Sequence, residues 1–98
     1  MEKNIYLTIL FDYYKELLTE KQKEYFKNYY FDNLSLSEIS ENLNVSRNAI
    51  HKELKLIENK LISYEEKLKL YKKDEKLLKL IEEIKDEKLK EKIKKEIE

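Results

Sequence analysis

The 98-residue chain has no cysteine, glycine, proline or tryptophan, and only one histidine and one methionine. Without Cys there is no disulfide framework, no thiolate metal site and no thiol nucleophile. Without Gly the backbone cannot cheaply enter left-handed conformations, which argues against phosphate-cradling Gly-rich loops and type I′ hairpins. Without Pro nothing interrupts a helix sterically. Net charge is missing too: 21 Lys and Arg cancel 21 Asp and Glu, so no global field draws the chain to a polyanion. Any such attraction has to come from a local patch. The one apolar run near the start, Ile5 to Phe11, carries Tyr6 and Thr8 and ends at Asp12. It is too short and too polar for a membrane span, and no small-residue cleavage site follows it. The expectation is a cytoplasmic protein that does not engage the membrane.

What is present is helical material. Charged residues make up 43% of the chain and apolar ones 41%, enough for one modest core under a heavily solvated surface. Glu, Lys and Leu are strong helix formers. Leu7, Leu10, Phe11, Tyr14, Leu17 and Leu18 recur at three- and four-residue steps and predict a helix over about 4–18. Thr19 with Gln22 forms a capping-box pattern that opens a second helix over 20–31, with Tyr25, Phe26, Tyr29 and Tyr30 inward. Ser35 with Glu38 is another such box and starts a short helix over 36–43. Asn44 follows, and Asn is the residue best able to replace Gly in a left-handed turn. Ser46 then caps a fourth helix.

Along that fourth helix Ile50, Leu54, Ile57, Leu61, Tyr64, Leu68 and Tyr71 step by fours and threes without a break. This a/d spacing predicts one continuous helix over 46–73, about 40 Å long at 1.5 Å per residue. Two accounts of the seam stay open: the first helix packs along it, or a second copy of the chain does so in a homodimer. From Asp74, itself a candidate cap for a fifth helix, the texture turns to Lys/Glu repeats around scattered Leu and Ile. The expected fold class is therefore all-α, a helix-turn-helix bundle of about five to six helices. Its long recognition helix continues into the C-terminal helices, with a domain over 1–73 and a charged extension over 74–98.

Little supports catalysis. His51 is the sole imidazole and there is no P-loop. The acid pairs Glu65-Glu66, Glu82-Glu83 and Asp86-Glu87 sit among lysines and read as solvated helix faces. The expectation is no enzyme, no catalytic residue, no metal and no cofactor. The segment from Leu34 to Leu61 is more informative. A short capped helix, a turn at Asn44-Val45-Ser46 and a second capped helix match the helix-turn-helix plan. Packing Leu36, Ile39 and Leu43 against Val45, Ile50 and Leu54 would fix the angle between the two helices. The other side of the second helix then carries Arg47, Asn48, His51, Lys52 and Lys55 outward. Arg and Lys suit phosphates or guanine edges and Asn can pair with adenine, while Ser46 and the helix start can hold a phosphate. Glu53 and Glu58 dilute this face. Neutralising about three phosphates gives a salt slope near −3, shallow beside the roughly −10 of a strong repressor.

The stretch from Leu10 to Tyr71 also resembles the YlxM-type proteins. The resemblance is carried by LFDYY (Leu10–Tyr14), LLTEKQ (Leu17–Gln22), YYFDNLSLSEIS (Tyr29–Ser40), NVSRNAI (Asn44–Ile50) and YEEKL (Tyr64–Leu68). These are small helix-turn-helix proteins of Gram-positive bacteria and mollicutes, encoded beside signal recognition particle genes. The helix-turn-helix alone is similar to the C-terminal promoter-reading domain of sigma factors. The resemblance implies an accessory role in the signal recognition particle pathway, with the particle's RNA, its GTPase, or both as targets. It places Ser46, Arg47 and Asn48 at the start of the family's recognition helix. Leu56 departs from the pattern, which leads one to expect a base after Lys55. The leading expectation is thus a nucleic-acid-binding accessory protein. The alternatives are a dimeric DNA-binding transcriptional regulator and a protein-binding module built on the helices after Asp74.

Overall fold

A computed structural model describes residues 1–97. Among them six α-helices and one 3-10 turn appear, and no strand. They are α1 (Lys3–Tyr14), the 3-10 turn Lys15–Leu17, α2 (Glu20–Tyr30), α3 (Leu36–Leu43), α4 (Arg47–Leu68), α5 (Leu70–Ile81) and α6 (Glu87–Ile97). The caps of α2, α3 and α4 stand where the sequence places them. Thr19 and Gln22 close a full capping box on α2, and Ser35 and Glu38 do the same on α3. The first helix is shorter than expected. It tightens into the 3-10 turn after Tyr14, which leaves Leu17 exposed and turns Leu18 into the core in an extended conformation. Tyr29 likewise lies outside, at 37% exposure, while Tyr25 and Phe26 are buried.

The core is one cluster to which α1, α2, α3 and α4 all contribute. Leu7, Leu10, Phe11 and Tyr14 from α1 meet Phe26 from α2, Ile39 from α3, and Ile50, Leu54, Ile57 and Leu61 from α4. Phe11 stacks on Phe26 at 4.4 Å between ring centres. Burying such a side chain contributes roughly 1.5–3 kcal/mol, so this cluster supplies most of what holds the bundle together. It also answers the question of the seam. Ile50, Leu54, Ile57 and Leu61 are consumed inside the chain, so a homodimer through the helix over 46–73 does not have these four positions to use. Tyr64 is half-buried beside Tyr14, and Leu68 alone of the α4 seam residues is exposed.

The expected unbroken helix to about Lys73 is interrupted at Lys69, which adopts a left-handed conformation (φ 55°, ψ 33°). That conformation costs about 1–2 kcal/mol for a residue with a Cβ. Buried polar contacts offset it. The Tyr14 hydroxyl donates to Glu65 Oε1 at 2.6 Å and accepts from the Leu70 N–H at 3.1 Å. The Glu65 carboxylate then accepts the N–H groups of Tyr71 and Lys72, each at 3.1 Å. Three of the donors that open α5 are thereby satisfied from α1 and α4. Burial, and then the Glu65 carboxylate, push the Tyr14 hydroxyl up to about 12. Asp74, the expected cap, instead accepts from the Tyr13 hydroxyl at 2.6 Å and ties α5 to α1.

Beyond the core, Asp86 caps α6 through the N–H groups of Lys88 and Leu89. Glu82 pairs with Lys94 at 2.8 Å and Lys90 at 3.0 Å, and these lysines hold its carboxyl below the ordinary range. Ile81 is buried, while Leu77, Leu78, Leu80 and Leu89 stay exposed. The molecule measures 55 × 25 × 24 Å with a radius of gyration of 17.1 Å. A compact chain of this length would give about 13 Å, so the fold is elongated.

Candidate nucleic-acid interface

The elbow between α3 and α4 is built locally. Asn44 ends α3 in the left-handed region (φ 54°, ψ 45°). Beyond it the Val45 N–H returns to the Ser40 carbonyl at 3.2 Å, and the Ser40 hydroxyl donates to the Val45 carbonyl. Ser46 Oγ then accepts from the Ala49 N–H at 3.1 Å and opens α4. At the other end of α3 the backbone N–H of Ser35 holds the Glu38 carboxyl below its ordinary value. Ile39 and Ile50 are wholly buried where the two helices cross. Every turn of this elbow is therefore capped, and its apolar inside corner is closed.

The outside of the elbow carries Ser46, Arg47, Asn48, His51, Lys52 and Lys55, all exposed. Five of them lie within the first three turns of α4. Lys55 is partly engaged, with its ammonium 3.6 Å from Glu58. Of the two acids expected to dilute this face, Glu53 is engaged with α2, while Glu58 stays beside Lys55. Glu53 is half-buried and accepts from Gln22 Nε2 at 3.2 Å. Glu58 is buried and accepts from the Tyr30 hydroxyl at 2.6 Å, a phenol that burial and the Glu58 carboxylate hold above its ordinary value. Glu58 thus dilutes the Lys55 end of this face as expected, while Arg47, His51 and Lys52 face solvent.

Other elements reach the same face. Lys3 and Asn4, at the start of α1, and Tyr29 and Tyr30, at the end of α2, line a recess with His51, Lys55 and Glu58. Nothing in the local pattern signals this neighbourhood, because it depends on how α1 and α2 cross α4. Among the described residues no group of three or more His, Asp or Glu is placed to hold a metal ion. No helix of the described chain is long and apolar enough to cross a membrane.

A short capped helix, a left-handed elbow and a second helix with a solvent-facing polar side define a helix-turn-helix protein. The comparison with known families then gives the particular group. The model of the UPF0122 family, described as "Putative helix-turn-helix protein, YlxM / p13 like", matches residues 1–98, and the chain belongs to this family. Among its relatives is the UPF0122 protein of Oceanobacillus iheyensis, 48% identical over 85 residues, covering 87% of this chain and 81% of the relative. That of Caldanaerobacter subterraneus is 48% identical over 82 residues, covering 84% and 70%. That of Mycoplasma capricolum is 44% identical over 92 residues, covering 94% and 81%.

Proposed function

We propose that this chain is a non-enzymatic accessory protein that docks the outer side of α4 on nucleic acid within the signal recognition particle machinery. The observation that carries the reading is the exposed group Ser46, Arg47, Asn48, His51 and Lys52 on a rigidly capped helix, with Glu53 held by Gln22 and Glu58 opposing only Lys55 among these cations. About three cations give modest affinity for a plain duplex. A structured RNA adds shape and 2′-hydroxyl contacts that a small patch can use, which favours the particle's RNA over a DNA operator. The exposed leucines of α5 and α6 are the surface left for a protein partner such as the particle's GTPase.

The test is binding to signal recognition particle RNA by the wild-type chain, Arg47→Ala and Lys52→Ala. Each substitution should weaken binding and flatten its salt dependence by about one phosphate. Equal affinities for all three proteins would remove the nucleic-acid role from this face. A dimeric DNA regulator requires a two-fold pair of recognition helices, and the burial of Ile50, Leu54, Ile57 and Leu61 inside the chain leaves that pairing without its expected seam. Sedimentation at micromolar concentration checks this point: a monomer is the expected result.

A further inference from the structure

Three shallow recesses run into one another beside the recognition helix. One lies over the helix start, between Leu36 and His51. The second, about 160 Å³, shares those two residues and reaches Lys3, Asn4 and Tyr29. The third continues from Asn4 and Tyr29 to Asn33, beyond the end of α2. Shared walls make them one groove, and its chemistry changes along its length. The Arg47 end is cationic and polar. The middle has Lys3 and Lys55 at its sides with the Glu58 carboxylate beside them, and the far part is lined by Tyr29, the amides Asn4 and Asn33, and Glu38.

Tyr29 is unlike the other aromatic residues of α2. Phe26 is fully buried, and Tyr30 is pinned by stacking on Phe26 at 4.4 Å and by its bond to Glu58. Tyr29 stands at 5.0 Å and nearly perpendicular to Tyr30, is 37% exposed, and has no hydrogen-bond partner for its hydroxyl among the described residues. An aromatic ring on so rigid a support loses little freedom when something stacks on it.

We propose that this groove takes an unpaired nucleobase, stacked on Tyr29 and hydrogen-bonded at its edge by Asn4 or Asn33, from an RNA whose adjoining stem lies on α4. The inference rests on the nucleic-acid reading above and names what that site selects. A paired base hides both faces in its own stack, whereas a bulged or looped base offers one to an aromatic side chain. Each amide carries both donors and an acceptor, so either can read a base edge. The stack also supplies affinity that does not depend on charge, which the short cation count of α4 calls for.

The experiment uses two blunt-ended RNA duplexes without loops, one fully paired and one differing only by a single unpaired 2-aminopurine inserted in one strand. The wild-type chain should bind the bulged stem more tightly and quench the probe. Tyr29→Leu should weaken bulged-stem binding about five- to hundredfold, abolish the quenching and leave the paired stem unaffected. Tyr29→Phe should retain both affinity and quenching. Should Tyr29→Leu melt the fold, Tyr29→Gln, a polar helix former suited to this exposed position, should produce the same bulge-specific loss. Equal affinity for the two stems, or a loss that falls on both alike, would overturn the base-stacking site. Failure of the underlying reading has a different signature, because neither stem would then respond to Arg47→Ala.

Discussion

Replacing Tyr14 with Phe removes a single oxygen that both donates to Glu65 and accepts from the Leu70 N–H. The first is a short bond to a buried carboxylate, of the kind that contributes about 1.5–3 kcal/mol net. Losing the second leaves a backbone donor at the start of α5 without its partner. The expected cost of Tyr14→Phe is about 2–3 kcal/mol, equivalent to a fall of roughly 8–24 °C in Tm for a chain this size. Glu65→Ala strips the partner from the Tyr14 hydroxyl and from the Tyr71 and Lys72 N–H groups together. It should cost more, about 3–5 kcal/mol. Both changes delete the same Tyr14–Glu65 bond, so the double variant should fall short of the sum by at least about 1 kcal/mol. Urea unfolding followed by circular dichroism gives these energies. Amide exchange gives their location, because protection should drop first at Leu70, Tyr71 and Lys72. A Tyr14→Phe chain within about 0.5 kcal/mol of wild type, or strictly additive energies, would refute the idea that this pair holds the α4–α5 break.

Further outcomes follow from the same physics. Lys69→Gly should stabilise the chain by about 1 kcal/mol in the same unfolding assay, since Gly carries no Cβ penalty in the left-handed region. Asn44→Val should cost at least about 1–2 kcal/mol for the same reason, while Asn44→Gly should be close to neutral. The Tyr14 phenol, raised from 10.0 to about 12 in the fold, contributes its full stability below pH 10 and loses it as pH rises through about 12. Thermal midpoints measured from pH 9 upward should decline over that window, and Tyr14→Phe should flatten the decline. Binding of a paired RNA stem should show a log–log salt slope of about −2 to −3, reflecting two or three phosphate contacts. A slope near −10 would mean that cations outside α4 carry the binding.

The starts of α2, α3 and α4 and the elbow were legible in the linear order of residues because a cap acts over three positions. Thr19 and Gln22, Ser35 and Glu38, and Ser46 with Ala49 satisfy one another whatever the rest of the chain does. The same holds for Asn44, whose left-handed turn needs only the right residue at the end of α3. Periodicity alone also found the buried side of α4, down to Leu61. The break at Lys69 could not be read this way, since no Gly or Pro marks it and the heptad runs straight through. It is imposed by Tyr14, which lies 51 residues from Glu65 in sequence and meets it only after α1 has crossed α4. The outward-facing Tyr29, the engagement of Glu53 by Gln22 and of Glu58 by Tyr30, and the approach of Lys3 and Asn4 to His51 are decided at the same level. Local hydrogen bonds and spacing determine which segments coil and which side each one buries. The crossing angles of those coils, set by how Phe11, Phe26, Ile39 and Ile57 fill shared space, determine which polar groups meet and which are left to face a ligand.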